Sequence, residues 1–271
     1  MLSLVIIIAI AIGGFLFLRS RGLLSPVPGQ QRCVATANAS SVSIDLEQAR
    51  YASIIVGLSV KRGLPPRAAS IALATAYQET GVRNLTYGDL DSVGLFQQRP
   101  SQGWGTAEQL LDPYYATGKF YDALIKIDNW KTGDITQVAQ RVQNSSYPDA
   151  YRDHESDARV LASALTGHSR AGFSCLEREG NQGNAVALVS SLERTLGKVS
   201  EETHDNMIVI NTQSSELAWA YACHALANSS RFGVIAIRVG DRQWETDAVN
   251  LPEWMRARPA LKETRAEITV R

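Results

Sequence analysis

Residues 66–81 read PRAASIALATAYQETG, and residues 82–105 continue as VRNLTYGDLDSVGLFQQRPSQGWG. The first stretch has the marks of a helix: Pro66 sits where a first turn tolerates a missing N–H, alanines and long apolar residues fill the interior, and Gly81 offers a left-handed stop. The second stretch has another texture. Gly88, Gly94, Pro100, Gly103 and Gly105 cut it into short polar pieces, which predicts a shaped loop. Within the helix, Ala68, Ala72, Thr75 and Glu79 fall at i, i+4, i+7 and i+11, so Glu79 shares a stripe with small, mainly apolar neighbours. Partial burial and the negative end of the helix dipole both disfavour a charged carboxylate, and both raise its pKa. A carboxylic acid kept protonated near neutral pH is suited to protonating a glycosidic leaving oxygen. The competing reading makes Glu79 an ordinary last-turn residue that reaches solvent or pairs with Arg83.

Helical pattern flanks this segment on both sides. Asp45, answered three residues later by Gln48, is a capping-box signature for a helix that runs to Arg62 before Gly63. After the loop the pattern resumes at 107–111, 114–126, 135–143 and 151–165, so residues 43–168 read as a mostly helical body. Residues 169–182 read as a linker. Beyond them a helix at 184–196, an apolar β-branched run at 207–210, a helix at 215–227 and strands at 234–239 and 242–246 describe a small α+β accessory module. That module spans 183–258, a charged tail covers 259–271, and Trp219, Trp244 and Trp254 are read as core. The fold class expected is α+β: a mainly α-helical domain, a small C-terminal α+β module and an N-terminal transmembrane helix.

The N-terminus carries the strongest local asymmetry. Leu2 to Leu18 is a 17-residue stretch without a charge, with Ser3 its one polar side chain; at about 1.5 Å per residue it just spans a hydrocarbon core. No small-x-small cleavage site follows Arg19 and Arg21, so residues 1–22 read as an uncleaved transmembrane anchor. Residues 23–42, rich in Ser, Pro, Gly, Gln and Ala, read as a tether. The chain of 271 residues balances 27 basic against 27 acidic side chains, which gives no electrostatic footprint for nucleic acid. The sequence lacks C-x-x-C, H-E-x-x-H, the P-loop pattern and G-x-G-x-x-G, so no metal site and no cofactor is expected. Cys33 and Cys175 flank the helical body. A bridge between them would clamp both its ends and contribute about 4–5 kcal/mol in the chain-entropy picture, whereas two free thiols are the alternative in a reducing compartment. Cys223 is read as a small core residue.

The loop after Gly81 supplies amides, hydroxyls and aromatic faces on closely spaced turns, from Tyr87, Ser92, Gln97, Gln98 and Trp104. Sugars are bound by that mixture, amides to hydroxyls and aromatic rings under the apolar ring face. Glu79-Thr80-Gly81 followed by Val93-Gly94-Leu95-Phe96-Gln97 resembles the lysozyme-like superfamily, specifically the pattern of soluble lytic transglycosylases and goose-type lysozymes. There a Glu-Ser at a helix end is followed, after a loop, by Gly-Leu-Met-Gln, and the 18 positions from Glu79 to Gln97 fit that arrangement. The string Asp89 to Gly105 is similar to secreted lysozyme-like proteins of actinobacteria, and the resemblance covers residues 43–168. Thr80 stands where the pattern has Ser, and Phe96 where it has Met. The Ala-Tyr-Asn-Ala-Gly segment of many transglycosylases has no clean equivalent; Val138 to Ser145 occupies its place, with Gln143 or Tyr151 as the substitutes on that side.

The resemblance implies cleavage of the β-1,4 bond between N-acetylmuramic acid and N-acetylglucosamine in peptidoglycan strands. Glu79 would protonate the glycosidic oxygen and then act as base toward the muramic 6-hydroxyl, giving a 1,6-anhydro product. A hydrolase of the inverting type needs a second carboxylate, for which Asp89 and Asp91 are the candidates. Two other classes stay open: a non-catalytic peptidoglycan-binding scaffold, and a structural partner in an envelope assembly that docks through the C-terminal module. Substrate location and a disulfide both place residues 22–271 outside a membrane the chain crosses once, against the cytoplasmic preference of Arg19 and Arg21.

Overall fold

Asp45 opens the first long helix through the reciprocal cap its sequence offers. In the computed structural model, which describes residues 30–143, 151–178, 180–198 and 200–271, the Gln48 N–H donates to the Asp45 carboxylate at 2.9 Å and the Asp45 N–H donates to the Gln48 side chain at 3.0 Å. This helix, α1 (Leu46–Lys61), buries Ala49, Ala52, Ile55 and Val56. The next, α2 (Pro66–Thr80), buries every residue from Ala68 to Ala76, the pattern of a helix covered on all sides. Around this pair lie α3 (Ala107–Leu111), α4 (Pro113–Leu124), α5 (Ile135–Gln143) and α6 (Glu155–Leu165). A single 3-10 turn, Arg152–His154, leads into α6, which packs along α2, while α1 touches both α2 and α4.

Two stretches read as connectors are strands. Within 23–42, β1 (Arg32–Ala37) and β2 (Ser40–Ile44) form an antiparallel hairpin. Its turn residues Asn38 and Ala39 have positive φ of 48° and 63°, a backbone twist that suits a two-residue hairpin turn. Within 169–182, β3 (Phe173–Leu176) is buried at all four residues and pairs with β1 to complete a sheet ordered β2-β1-β3. Cys33 and Cys175 stand opposite each other in that pairing and form a disulfide. The alternation is muted in hydropathy because β1 buries Cys33, Ala35 and Ala37, which are small. The anchor expected over 1–22 and the first part of the tether lie outside the described residues; among the described residues no helix is long and apolar enough to cross a membrane.

The C-terminal half adds α7 (Ala185–Leu196), β4 (Ser200–His204), β5 (Met207–Asn211), α8 (Ser215–Ala227) and the short α9 (Ser229–Phe232). Then come β6 (Val234–Val239), β7 (Arg242–Glu245), β8 (Met255–Arg256) and β9 (Arg265–Val270), giving an antiparallel sheet ordered β4-β5-β9-β6-β7-β8. The expected charged tail, 259–271, therefore contributes an interior strand. In β9, Ala266, Ile268 and Val270 are buried on one face, while Arg265 and Glu267 on the other join Arg238 in an ion-pair row. Period-two alternation carries that strand; the charges belong to its outer face.

Nor do the two halves form separate bodies. Residues Gln31–Arg271 form one unit, and a continuous core runs from α1 and α2 through α8 to β6 and β9. Helix α8 touches β6 and β9 as well as α1, α6 and α7, so its residues from Ala218 to Ala227 are buried. At Gly57 a Cβ would lie 2.3 Å from the Thr195 methyl, so glycine is what lets α7 approach α1. The tryptophans fasten the halves: the Trp244 indole donates to the Ser174 hydroxyl at 2.9 Å and the Trp254 indole to the Phe173 carbonyl at 2.8 Å. Cys223 is buried and its thiol donates to the Ala164 carbonyl.

The disulfide joins residues separated by 142 positions. Replacing both cysteines, Cys33→Ala with Cys175→Ala, is expected to lower the unfolding free energy by roughly 2–5 kcal/mol, read from urea unfolding of the oxidised parent beside the variant. Coincident unfolding curves would show that the bridge does not restrain the chain.

Candidate active site

The last turn of α2 ends at Gly81, whose φ of 63° forms the left-handed cap and whose N–H donates to the Tyr77 carbonyl at 2.9 Å. One residue earlier, the Thr80 hydroxyl donates within 2.9 Å of the Ala76 carbonyl and 3.0 Å of the Leu95 carbonyl, and it accepts from the Arg83 N–H at 3.1 Å. A hydroxyl at this position thus ties the helix end to the loop that returns over it. The tie explains why a Ser or Thr suits the place, a role that residue type alone does not reveal.

The loop itself is held by backbone. Isolated antiparallel bridges join Leu85 to Gly94 and Val93 to Gln98, and the Gly94 N–H donates to the Leu85 carbonyl at 2.7 Å. Gly94 has φ of 80°, and a Cβ there would stand 2.4 Å from the Leu110 carbonyl oxygen, so only glycine fits. Phe96, two residues on, is fully buried and stacks on Phe120 with ring centres 4.7 Å apart.

Glu79 is half-buried beside this loop. The buried Tyr151 donates its hydroxyl to the Glu79 carboxylate at 2.8 Å, and the Gln143 amide hydrogen-bonds the same carboxylate. Gln143 also donates to the Phe96 carbonyl at 2.6 Å, which fixes the amide between loop and acid. Burial pushes the Glu79 carboxyl above its ordinary value, and the two hydrogen bonds, which favour the charged form, offset part of that rise. The pairing with Arg83 does not occur: Arg83 is engaged by Asp45 and Glu47. Both substitutes named for the missing Ala-Tyr-Asn-Ala-Gly segment therefore meet at the acid. The turn that carries Tyr151 also brings in His154, which stacks on Tyr77 at 5.6 Å and hydrogen-bonds the Gln78 side chain at 3.2 Å. That docking contact has one sequence signal, the placement of His154 three residues after Tyr151.

The other residues singled out in sequence divide by environment. Tyr87 is 71% exposed at the loop tip, beside an exposed Leu90. Gln97 donates to the Tyr87 carbonyl at 3.2 Å and the Gly94 carbonyl at 3.3 Å, shaping the loop across Gly88. Gln98 is buried and donates to the Ala116 carbonyl at 3.4 Å, and Ser92 is buried as well, so these two serve the interior of the loop. Trp104 is half-buried and packs against the core. Asp91 accepts from Arg99 at 2.7 Å and from the Ser101 N–H and hydroxyl at 2.7 and 2.9 Å. The Arg99 guanidinium and the Ser101 donors hold its carboxyl well below the usual carboxylate range, which leaves a poor proton acceptor. Asp89 is exposed, and its carbonyl accepts from the Ser92 N–H at 3.0 Å.

No protein-family model matches this chain, and no curated protein matches it.

A carboxyl whose folded pKa exceeds its unfolded one binds more protons in the folded chain, so stability falls as pH rises from the unfolded toward the folded value. The penalty is absent below about pH 4 and complete above the raised pKa. Glu79→Gln removes it while keeping an acceptor for Tyr151. Its stability relative to the parent is expected to rise across that window, measured by urea unfolding from pH 4 to 8. A pH-independent difference would show that Glu79 titrates as an exposed carboxyl.

Proposed function

We propose that this protein cleaves the β-1,4 bond between N-acetylmuramic acid and N-acetylglucosamine in peptidoglycan, as a lytic transglycosylase with Glu79 as acid and base. The observation that carries the reading is one half-buried carboxyl, raised in pKa and contacted by Tyr151 and Gln143, at the rim of a loop rich in sugar-type contacts. Protonated Glu79 gives its proton to the glycosidic oxygen as the bond to the muramic C1 breaks. The carboxylate that remains is stabilised by the Tyr151 hydroxyl and the Gln143 amide. It then takes the proton of the muramic 6-hydroxyl while that oxygen bonds C1, which closes the 1,6-anhydro ring and returns Glu79 to its starting form. One carboxyl performs both transfers, and the commitment of Asp91 to Arg99 and Ser101 favours this over a two-carboxylate hydrolysis.

Within the lysozyme-like resemblance, the residues expected to meet glycan are Tyr87, Gln97 and Trp104 with Gln143. The proposed substrate lies on the extracytoplasmic side of the cell membrane, and the disulfide suits that oxidising side.

Incubating the protein with purified peptidoglycan and weighing the released fragments by mass spectrometry tests the reading. Anhydro-muropeptides are expected from the parent, with release slowed roughly 10²–10⁴-fold in Glu79→Gln. Reducing-end products would assign a hydrolase, and no release from the parent would leave a binding protein.

A further inference from the structure

A second concave site lies on the C-terminal half. Arg170, Ala171, Trp219, Asp241, Arg242 and Glu263 wall a cavity of about 500 Å3, within the range of small-ligand sites. Its walls are fixed by backbone hydrogen bonds on two sides. Behind Arg170 and Ala171, the Gly172 N–H donates to the Ser169 carbonyl at 3.0 Å and the Thr36 N–H to the Gly172 carbonyl at 2.7 Å. The turn at Asp241 receives the Ala257 N–H at 2.7 Å, and Gly240 before it receives the Leu261 N–H at 2.8 Å. Glu263 stands against Gly240, where any Cβ would meet its carboxylate at 2.9 Å. The cavity is thus preformed.

Its charges come as two cations and two anions around one opening. Arg170 pairs with Glu263 at 3.0 Å and Arg242 with Asp241 at 3.5 Å, and all four side chains are about half-exposed. Half-exposed pairs of this kind contribute little to stability, so one opens readily to admit a ligand. A ligand with one carboxylate and one ammonium group matches both charges freed when a pair opens and leaves none of them unmatched. A ligand of a single charge does not. Trp219 adds an aromatic wall, 2% exposed, whose indole N–H has no hydrogen-bond partner among the described residues.

We infer that this cavity binds a zwitterionic peptide end, one carrying a free carboxylate and a free amine. Its assignment to the stem peptides of peptidoglycan rests on the function proposed above. The cavity would then hold the peptide branch of the polymer whose glycan Glu79 cuts.

The test is a titration of the ¹⁵N-labelled protein with a synthetic stem tetrapeptide that has a free side-chain amine on its diamino acid and a free terminal carboxylate. The expected result is a saturable shift of the Trp219 indole N–H signal. Affinity should fall at least tenfold in Arg170→Gln and in Arg242→Gln, and likewise for the amidated peptide. Both arginines are exposed, and unchanged signals elsewhere verify the fold. Glu79→Gln should bind as the parent does. No saturable shift at millimolar peptide, or equal affinity in the arginine variants, overturns the inference. Peptide binding without glycan cleavage upholds this cavity and removes the enzymatic reading; cleavage without peptide binding does the reverse.

Discussion

The covering of α2 is the constraint on which the rest is built. A helix buried from Ala68 to Ala76 has no solvent face along those turns, and its small side chains allow α6 and α1 to lie close against it. The cost falls at its end, where Glu79 is carried partly out of water. Such a carboxyl is tolerated when donors reach it, and Tyr151 and Gln143 do so from segments outside α2. Their bonds favour the anion while burial favours the acid, and burial is the larger effect. The result is a carboxyl that can be protonated and can then hold a charge, which is the pair of states an acid and base catalyst alternates between.

Thr80 and Gly94 transmit this arrangement to the loop. The first hydrogen-bonds the Leu95 carbonyl, and the second lets the chain pass under the Leu110 carbonyl. Phe96 is then driven into the core beside Phe120, and its carbonyl positions Gln143. The acid, its donors and the loop are therefore parts of one packing solution. Further away, the disulfide and the tryptophans of the C-terminal half fasten β3 between the helical layer and the larger sheet, so the whole is stabilised as a unit.

Helices were legible in sequence because their signals are local. Asp45 with Gln48, Pro66 and Gly81 act within one turn: the first two form a capping box, Pro66 opens its helix and Gly81 takes the left-handed cap. Glu79 was legible for the same reason, since its stripe and its place in the last turn are both short-range properties. Strands β1, β3 and β9 were not, because their pairing partners lie far along the chain: β1 reaches β3 across more than a hundred residues, and β9 inserts between β5 and β6. Their patterns were also disguised, by small buried residues in β1 and by outward Arg265 and Glu267 in β9. The burial of Gln98 and the engagement of Asp91 with Arg99 depend on how the loop folds back, which residue type alone does not specify.

Whether burial outweighs hydrogen bonding at the Glu79 carboxyl is measured by ¹³C NMR titration of that side chain in the parent and in Tyr151→Phe. The midpoint is expected above the ordinary glutamate value of about 4.3 in the parent, moving higher when the Tyr151 donor is removed. A parent midpoint at or below that value, or one unmoved in Tyr151→Phe, would contradict that expectation.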